Sequence, residues 1–282
     1  MILQRQQPAD RCPGPINKGY SPVFPFDFFP FPDFHRICKK NRCPEDHGTG
    51  KISRAHRERT MNRREDANAR RQHQARLREL AGAIRRCRQC GLFRHRLHAV
   101  AGEGPPDARI VLVGEAPGAG EDRTGRPFIG PAGKFLDRLL AAHGFRRQDL
   151  FLTSCVKCRP PGNRTPHRAE LQTCINAWLR PQIELIDPEV TVLCGRTAVS
   201  ALLDRSLRIS DYHGVFRCRD GRIFFITYHP AAAMRFPAAA EAIQHDFSLL
   251  ADRMRNWPGH RSMPPDEPEQ PGPGRRGTVK NH

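Results

Sequence analysis

The sequence predicts a three-layer α/β/α sandwich built on a four-stranded parallel sheet. Three observations carry that expectation. Four short apolar runs, at 109–113, 151–156, 190–193 and 223–227, stand apart along the chain. Strands that are apolar without interruption are buried on both faces, as in parallel sheets covered by helices. Between and after the runs lie stretches whose apolar residues recur every three or four positions, the period of a helix with one buried face. The first, second and fourth runs each lead into a Gly- or Pro-rich segment, at the carboxyl ends where such sheets bind ligands.

Taken in order, residues 63–86 read as a helix with Leu77, Leu80, Ala81 and Ile84 on one face. RIVLV at 109–113 is the first strand. Residues 131–143 form a helix with Pro131 in its first turn, where a missing N–H costs nothing, and with Phe135, Leu136, Leu139 and Leu140 inward. The second strand follows at 151–156. The helix at 168–186 aligns Leu171, Ile175, Leu179 and Ile183. The third strand, a short helix at 196–203, the fourth strand and a closing helix at 238–254 complete the pattern.

The ends have another texture. Residues 23–34 read VFPFDFFPFPDF, which places six of the sixteen phenylalanines in twelve residues with neither helical nor strand period. Residues 36–59 are polar and basic. The expected organisation is therefore a domain over 61–257. It is preceded at 1–60 by a disordered arm, or by a misassigned extension if translation starts at Met61. A disordered Pro- and Gly-rich tail follows at 258–282.

A net charge of +18 and a sequence pI near 10.3 point to a polyanionic partner, nucleic acid before membrane. Residues 1–60 carry +5 of that charge, so +13 remains without them. No apolar run approaches the ~18 residues of a membrane span, and residues 1–18 lack the apolar centre of a signal peptide. Ten cysteines without an export signal favour metal ligation or buried thiols over disulfides.

Four segments carry chemistry. Cys87-x2-Cys90 and Cys158-x15-Cys174 offer four thiolates, which suit Zn²⁺ or a [4Fe–4S] cluster, the spacing alone choosing neither. Unligated reduced thiols are the bland alternative. Cys12, Cys38, Cys43, Cys155, Cys194 and Cys218 need no such role. The second segment is Gly114-Glu115-Ala116-Pro117-Gly118, then Glu121-Asp122, then 125–133 with Phe128. Two acids at a strand end, an aromatic and a helix start can hold a water, a flat base and an anion. Neither a Walker loop nor GxGxxG is present. The third is KCRPPGNRTP at 157–166, whose Lys157, Arg159 and Arg164 beside prolines could grip phosphates. The fourth is YHPAAAMR at 228–235: His229 could donate to a leaving group, and Met234 and Arg235 could enter a groove.

In this order, GEAPGxxED, GxPFxGxAG, KCRPPxNRxP, HPAAxxR and the four-cysteine set resemble the family-4 uracil-DNA glycosylases over about 77–250. The resemblance implies an α/β/α sandwich with a four-stranded parallel sheet. It also implies a structural [4Fe–4S] cluster on Cys87, Cys90, Cys158 and Cys174. Carried over residue by residue, Phe128 would stack on a flipped base. Glu115 and Glu121 would place water and stabilise positive charge on the sugar. Asn163 would hold the base or its water, His229 would bond uracil O2, and Gly114 and Ala116 would supply close backbone. Met234 and Arg235 would lie in the DNA-intercalation loop. Ser154 stands where the family has Asn, which resembles the family-5 enzymes and their wider base range.

The implied reaction is monofunctional excision of uracil, leaving an abasic site, by a cytoplasmic, nucleoid-associated monomer acting on double- or single-stranded DNA. The insertion of the branch that traps DNA covalently is absent after Cys158, so turnover is expected. Two rivals remain open: a glycosylase for hypoxanthine or another deaminated base, and a non-catalytic DNA-binding protein stapled by a metal.

Overall fold

The computed structural model describes residues 54–203 and 206–257. They fall within one compact unit, Ser53–His282. The expectations for residues 1–53 and for the tail from 258 lie outside the described residues. Helix α1 runs Arg54–Arg86, so helical backbone continues through Met61.

The sheet follows from its composition. Strands β1 (Ile110–Gly114), β2 (Leu150–Ser154) and β3 (Val190–Cys194) are buried at every position. With β5 (Arg222–Thr227) they form four parallel strands in the order β2-β1-β3-β5. Alternation splits β1 between two cores. Ile110 and Leu112 face α3 (Pro131–Ala142) and α9 (Pro237–Arg255), through Leu136, Leu139, Leu140, Ile243 and Phe247. Val111 and Val113 face Leu77 of α1, Ile183 of α5 (Arg180–Ile186), and Ala198 and Val199 of α6 (Arg196–Leu202). Three layers result, as the alternation predicts.

The expected count of four strands needs correction, because β4 (Phe216–Arg219) adds a fifth, antiparallel strand at the edge. Its FRCR sequence is only partly buried and shows no apolar run. Asp220 (φ +52°) and Gly221 (φ +69°) turn the chain between the paired Arg219 and Arg222. This is the Asp-Gly signature of a tight hairpin. The long helix at 168–186 also departs from regularity. Between α4 (Arg168–Cys174) and α5, residues Ile175–Leu179 form a π turn in which the Arg180 N–H donates to the Ile175 carbonyl. Pro181 has no N–H to give and its ring crowds the preceding turn, so the wider turn absorbs it.

The connections after the adjacent strands β1 and β3 leave toward opposite faces, to α3 in one core and α6 in the other, which puts the crevice of such sheets at the carboxyl ends of β1 and β3. The short helices α2 (Ala119–Thr124) after β1 and α8 (Pro230–Ala233) after β5 stand on that rim; α7 (Ile209–Tyr212) leads into the edge hairpin.

Candidate active site

A slot opens at the end of β1. A Cβ placed on Gly114 would lie 2.7 Å from Cζ of Phe128 and 3.4 Å from Nε2 of His229. The Phe128 and His229 rings stack at 6.2 Å with 26° between their planes. Gly114 is registered against Ser154 of β2. Paired residues of neighbouring strands share a face, so buried Ser154 points to the same side as the slot. Gly114, Ser154 and His229 therefore come from three strand ends, and Phe128 joins them from the loop between α2 and α3.

His229 has one tautomer available while neutral. The Ala231 N–H donates to its Nδ1 at 3.1 Å, so the ring proton resides on Nε2, the atom that faces Gly114. Burial pushes its pKa down from 6.5 to about 4, against an opposing pull from Glu121. At neutral pH the slot thus contains an uncharged hydrogen-bond donor.

Phe128 is buried and left-handed, with φ +50°. A Cβ on Gly133 would fall 1.9 Å from the Phe128 carbonyl oxygen, so the first turn of α3 requires glycine there. Glu121 accepts the N–H groups of Ile129 (3.0 Å) and Gly130 (2.9 Å) on one oxygen and that of Gly118 (3.1 Å) on the other. Its charge is held in place between the two loops. Glu115 is half-buried and accepts the Thr197 hydroxyl from α6. Buried Asp122 accepts the N–H groups of Leu97 and His98, tying a preceding loop to α2.

The four cysteines lie on segments that meet beside this rim. Cys87 and Cys90 follow α1, Cys158 follows β2, and Cys174 ends α4. Cys90, Cys158 and Cys174 share a cluster with Ile84, Leu92 and Val156, walled by Trp178. Nitrogen donors point at three of the sulfurs. Trp178 Nε1 reaches Cys87 at 3.2 Å, the Arg96 guanidinium reaches Cys158 at 3.0 Å, and the Lys157 N–H reaches Cys174 at 3.3 Å. Burial raises the thiol pKa values of Cys90, Cys158 and Cys174, the last to about 12. A bound metal would replace the protons of these thiols, and the aimed N–H groups suit the sulfurs of a bound centre. Among the described residues, no group of three Cys, His, Asp or Glu converges as the ligands of one ion would.

Residues 101–250 match the uracil DNA glycosylase superfamily. The chain belongs to that superfamily. It is similar to a type-4 uracil-DNA glycosylase of Pyrobaculum aerophilum, 41% identical over 184 residues, covering 62% of this chain and 92% of that one. A type-4 uracil-DNA glycosylase of Thermotoga maritima is 43% identical over 154 residues, 54% of this chain and 80% of its own. A type-5 uracil-DNA glycosylase of Thermus thermophilus is 40% identical over 151 residues, 46% of this chain and 68% of its own.

Within the superfamily frame, the basic segment after β2 needs correction. Lys157 is 1% exposed and cannot reach a phosphate. Its ammonium donates to Thr153 Oγ1 (2.6 Å), the Ser154 carbonyl (2.9 Å) and Gln182 Oε1 (2.7 Å). Its neighbours on both sides are drawn inward by β2 and the cysteine cluster, so Lys157 follows the chain into the core. Arg164 is committed to Glu170 through two bonds, 2.9 and 2.7 Å, which fasten the loop to α4. Asn163 is exposed and accepts from Arg159 Nε at 2.7 Å, rather than joining the slot. Arg159 is half-buried, with that bond as its anchor. Ala116 packs against the cysteine cluster.

On the far side of the slot, Met234 is 50% exposed and Arg235 is exposed, joined by Phe236 at 62%. Sequence reading missed Phe236, although an aromatic two residues beyond Met234 was there to be noticed. It also missed Thr197, whose only signal was its place at the start of the helix after β3. Arg147 gave no signal at all: it lies nineteen residues beyond Phe128, yet donates to the Phe128 carbonyl.

Proposed function

We propose that this chain removes uracil from DNA by hydrolysing its N-glycosidic bond and leaving an abasic site, with the Gly114, Phe128, Ser154 and His229 slot receiving the extruded base. The observation that carries the reading is the neutral His229 with its Nε2–H turned into the slot. Enzymes that act on a base must take it out of the stack, and a flat base extruded here would stack on Phe128. As the C1′–N1 bond breaks, its electron pair moves onto the base. The Nε2–H hydrogen bond to O2 strengthens as that charge grows, which favours the transition state over the bound substrate. The carboxylates of Glu115 and Glu121 would face the positive sugar that remains; water adds at C1′ and loses a proton to solvent, and the uracil anion leaves and takes up a proton there. Lys157 is held inside the fold and is not placed to form a Schiff base with the sugar.

Cys87, Cys90, Cys158 and Cys174 would hold a [4Fe–4S] cluster, which supplies a staple joining α1, the β2 loop and α4. Arg159, Met234 and Arg235 would meet the DNA, with Phe236 beside Met234 as a second apolar wedge. A net charge of +18 suits a polyanionic substrate, and the reading extends to a monomer acting on nucleoid DNA in the cytoplasm, double- or single-stranded. A second reading has one observation in its favour. Ser154 faces the slot where an amide would present donor and acceptor together, so hypoxanthine or another deaminated base is a candidate substrate.

The test is release of base from end-labelled oligonucleotides carrying one uracil or one hypoxanthine, read by alkaline cleavage at the abasic site. Wild type should cleave at uracil, and His229→Ala should lose most of that activity. A protein that binds the oligonucleotide and releases nothing is the non-catalytic rival. Purified anaerobically, the protein should be brown, with about four irons per chain. A colourless active protein with one zinc would overturn the cluster.

A further inference from the structure

Phe128 holds a backbone conformation that costs an ordinary L-residue energy, and the stacking surface exists only while that conformation lasts. Two charged side chains grip it from opposite sides. Glu121 takes the amides just after it, at Ile129 and Gly130. Arg147, in the turn Arg147–Asp149 before β2, takes the carbonyls: Nη1 donates to the Phe128 oxygen at 3.0 Å and Nη2 to the Pro127 oxygen at 2.6 Å. The same guanidinium is anchored to Asp137 of α3 at 2.8 Å. Its side chain is 24% exposed, so these bonds are sheltered from water.

We propose that Arg147 is a positioning residue for the base platform: through its fork onto Pro127 and Phe128 it holds the Phe128 ring in its stacked position beside His229, and the rate of excision depends on it although it touches no substrate. The inference rests on the reading of Phe128 as the surface on which the extruded base stacks. A guanidinium suits the task because it is planar and offers donors in fixed directions to two successive carbonyls and a carboxylate at once. An ammonium at the same reach presents a point charge and cannot hold the same three acceptors in one plane. The side chain that orients the platform therefore comes from the start of β2, whose far end places Ser154 in the slot. One strand would set both the platform and the edge that reads the base.

The experiment is a double-mutant cycle on the full chain with its metal bound. Single-turnover excision of uracil is measured for wild type, Arg147→Ala, Phe128→Ala and the double variant. Misplacing a stacking surface by about 1 Å predicts a loss of about a hundredfold for Arg147→Ala. The double variant should be no slower than Phe128→Ala alone, because Arg147 acts through that ring. Arg147→Lys should recover part of the rate. Losses that multiply in the double variant would overturn the proposal, since Arg147 would then act elsewhere. Hydrogen exchange of the 127–130 segment supplies a readout independent of activity. It should quicken in Arg147→Ala while α9 stays protected, and unchanged exchange would also overturn the proposal. If wild type releases no uracil, the functional reading fails, and the exchange result still decides whether Arg147 holds Phe128. Should Arg147→Ala fail to fold, Arg147→Lys carries the same cycle and the same exchange measurement.

Discussion

A neutral, half-buried His229 has a measurable consequence for stability. Its pKa is about 4 in the folded chain against an ordinary 6.5, the cause being burial beside Phe128 and the β1 end. Between those values the unfolded chain binds a proton that the folded chain refuses. Stability therefore rises with pH through the window and is lost on acidification. The whole gap is worth about 3 kcal/mol, and acidification from pH 7 to pH 5 should cost about 2 kcal/mol from this one ring. His229→Gln removes the titration while keeping an acceptor for the Ala231 N–H and a donor on the slot side. The assay is denaturant unfolding of both proteins at pH 7, 6 and 5, comparing the drop in stability. Wild type should fall more steeply than His229→Gln by about 2 kcal/mol over that range. Single-turnover excision by wild type should show no inflection near pH 6.5. Parallel stability curves, or an inflection near 6.5 that vanishes in His229→Gln, would refute the neutral-donor argument.

Three other outcomes are expected. Gly114→Ala places a methyl 2.7 Å from Phe128 in the slot. It should slow uracil excision by about two orders of magnitude, as displacement of a reacting group does, with circular dichroism spectra unchanged. Ser154→Asn should raise the preference for uracil over hypoxanthine by up to about tenfold, one hydrogen bond's worth, in paired single-turnover assays. Lys157→Met takes the ammonium away from three buried acceptors, the Thr153 hydroxyl, the Ser154 carbonyl and Gln182 Oε1, and leaves Thr153 and Gln182 only their bond to each other. It should lower stability by about 1–3 kcal/mol or more in thermal unfolding. In fluorescence anisotropy Lys157→Met should leave the salt dependence of DNA binding unchanged, whereas Arg159→Ala should reduce its slope by about one charge.

The α/β/α architecture was legible along the chain because each of its signals is local. An uninterrupted apolar run such as 109–113 must be covered on both faces, and the 3.6-residue period of 131–143 needs no partner to be recognised. The cysteine spacing, the Gly-rich turn after β1 and His229 after β5 were legible for the same reason: each is a short pattern attached to a strand end. The edge strand β4 escaped because an exposed strand has no reason to be apolar, and its Asp-Gly turn was the one local sign of it. What only the tertiary structure decided is the direction of charged side chains. Lys157 and Arg159 stand two residues apart in one basic motif, yet one enters the core beneath Ser154 and the other stays on the loop. Glu121 belongs to a legible motif whereas Arg147 looks like an unrelated surface charge in the sequence, and the two meet around Phe128 only after α3 has packed. A charge gains most where water is excluded and its partners are fixed, and that place is defined by chain segments far apart in sequence. Composition therefore announces a nucleic-acid partner, while packing decides which cations face it and which hold the platform for its base.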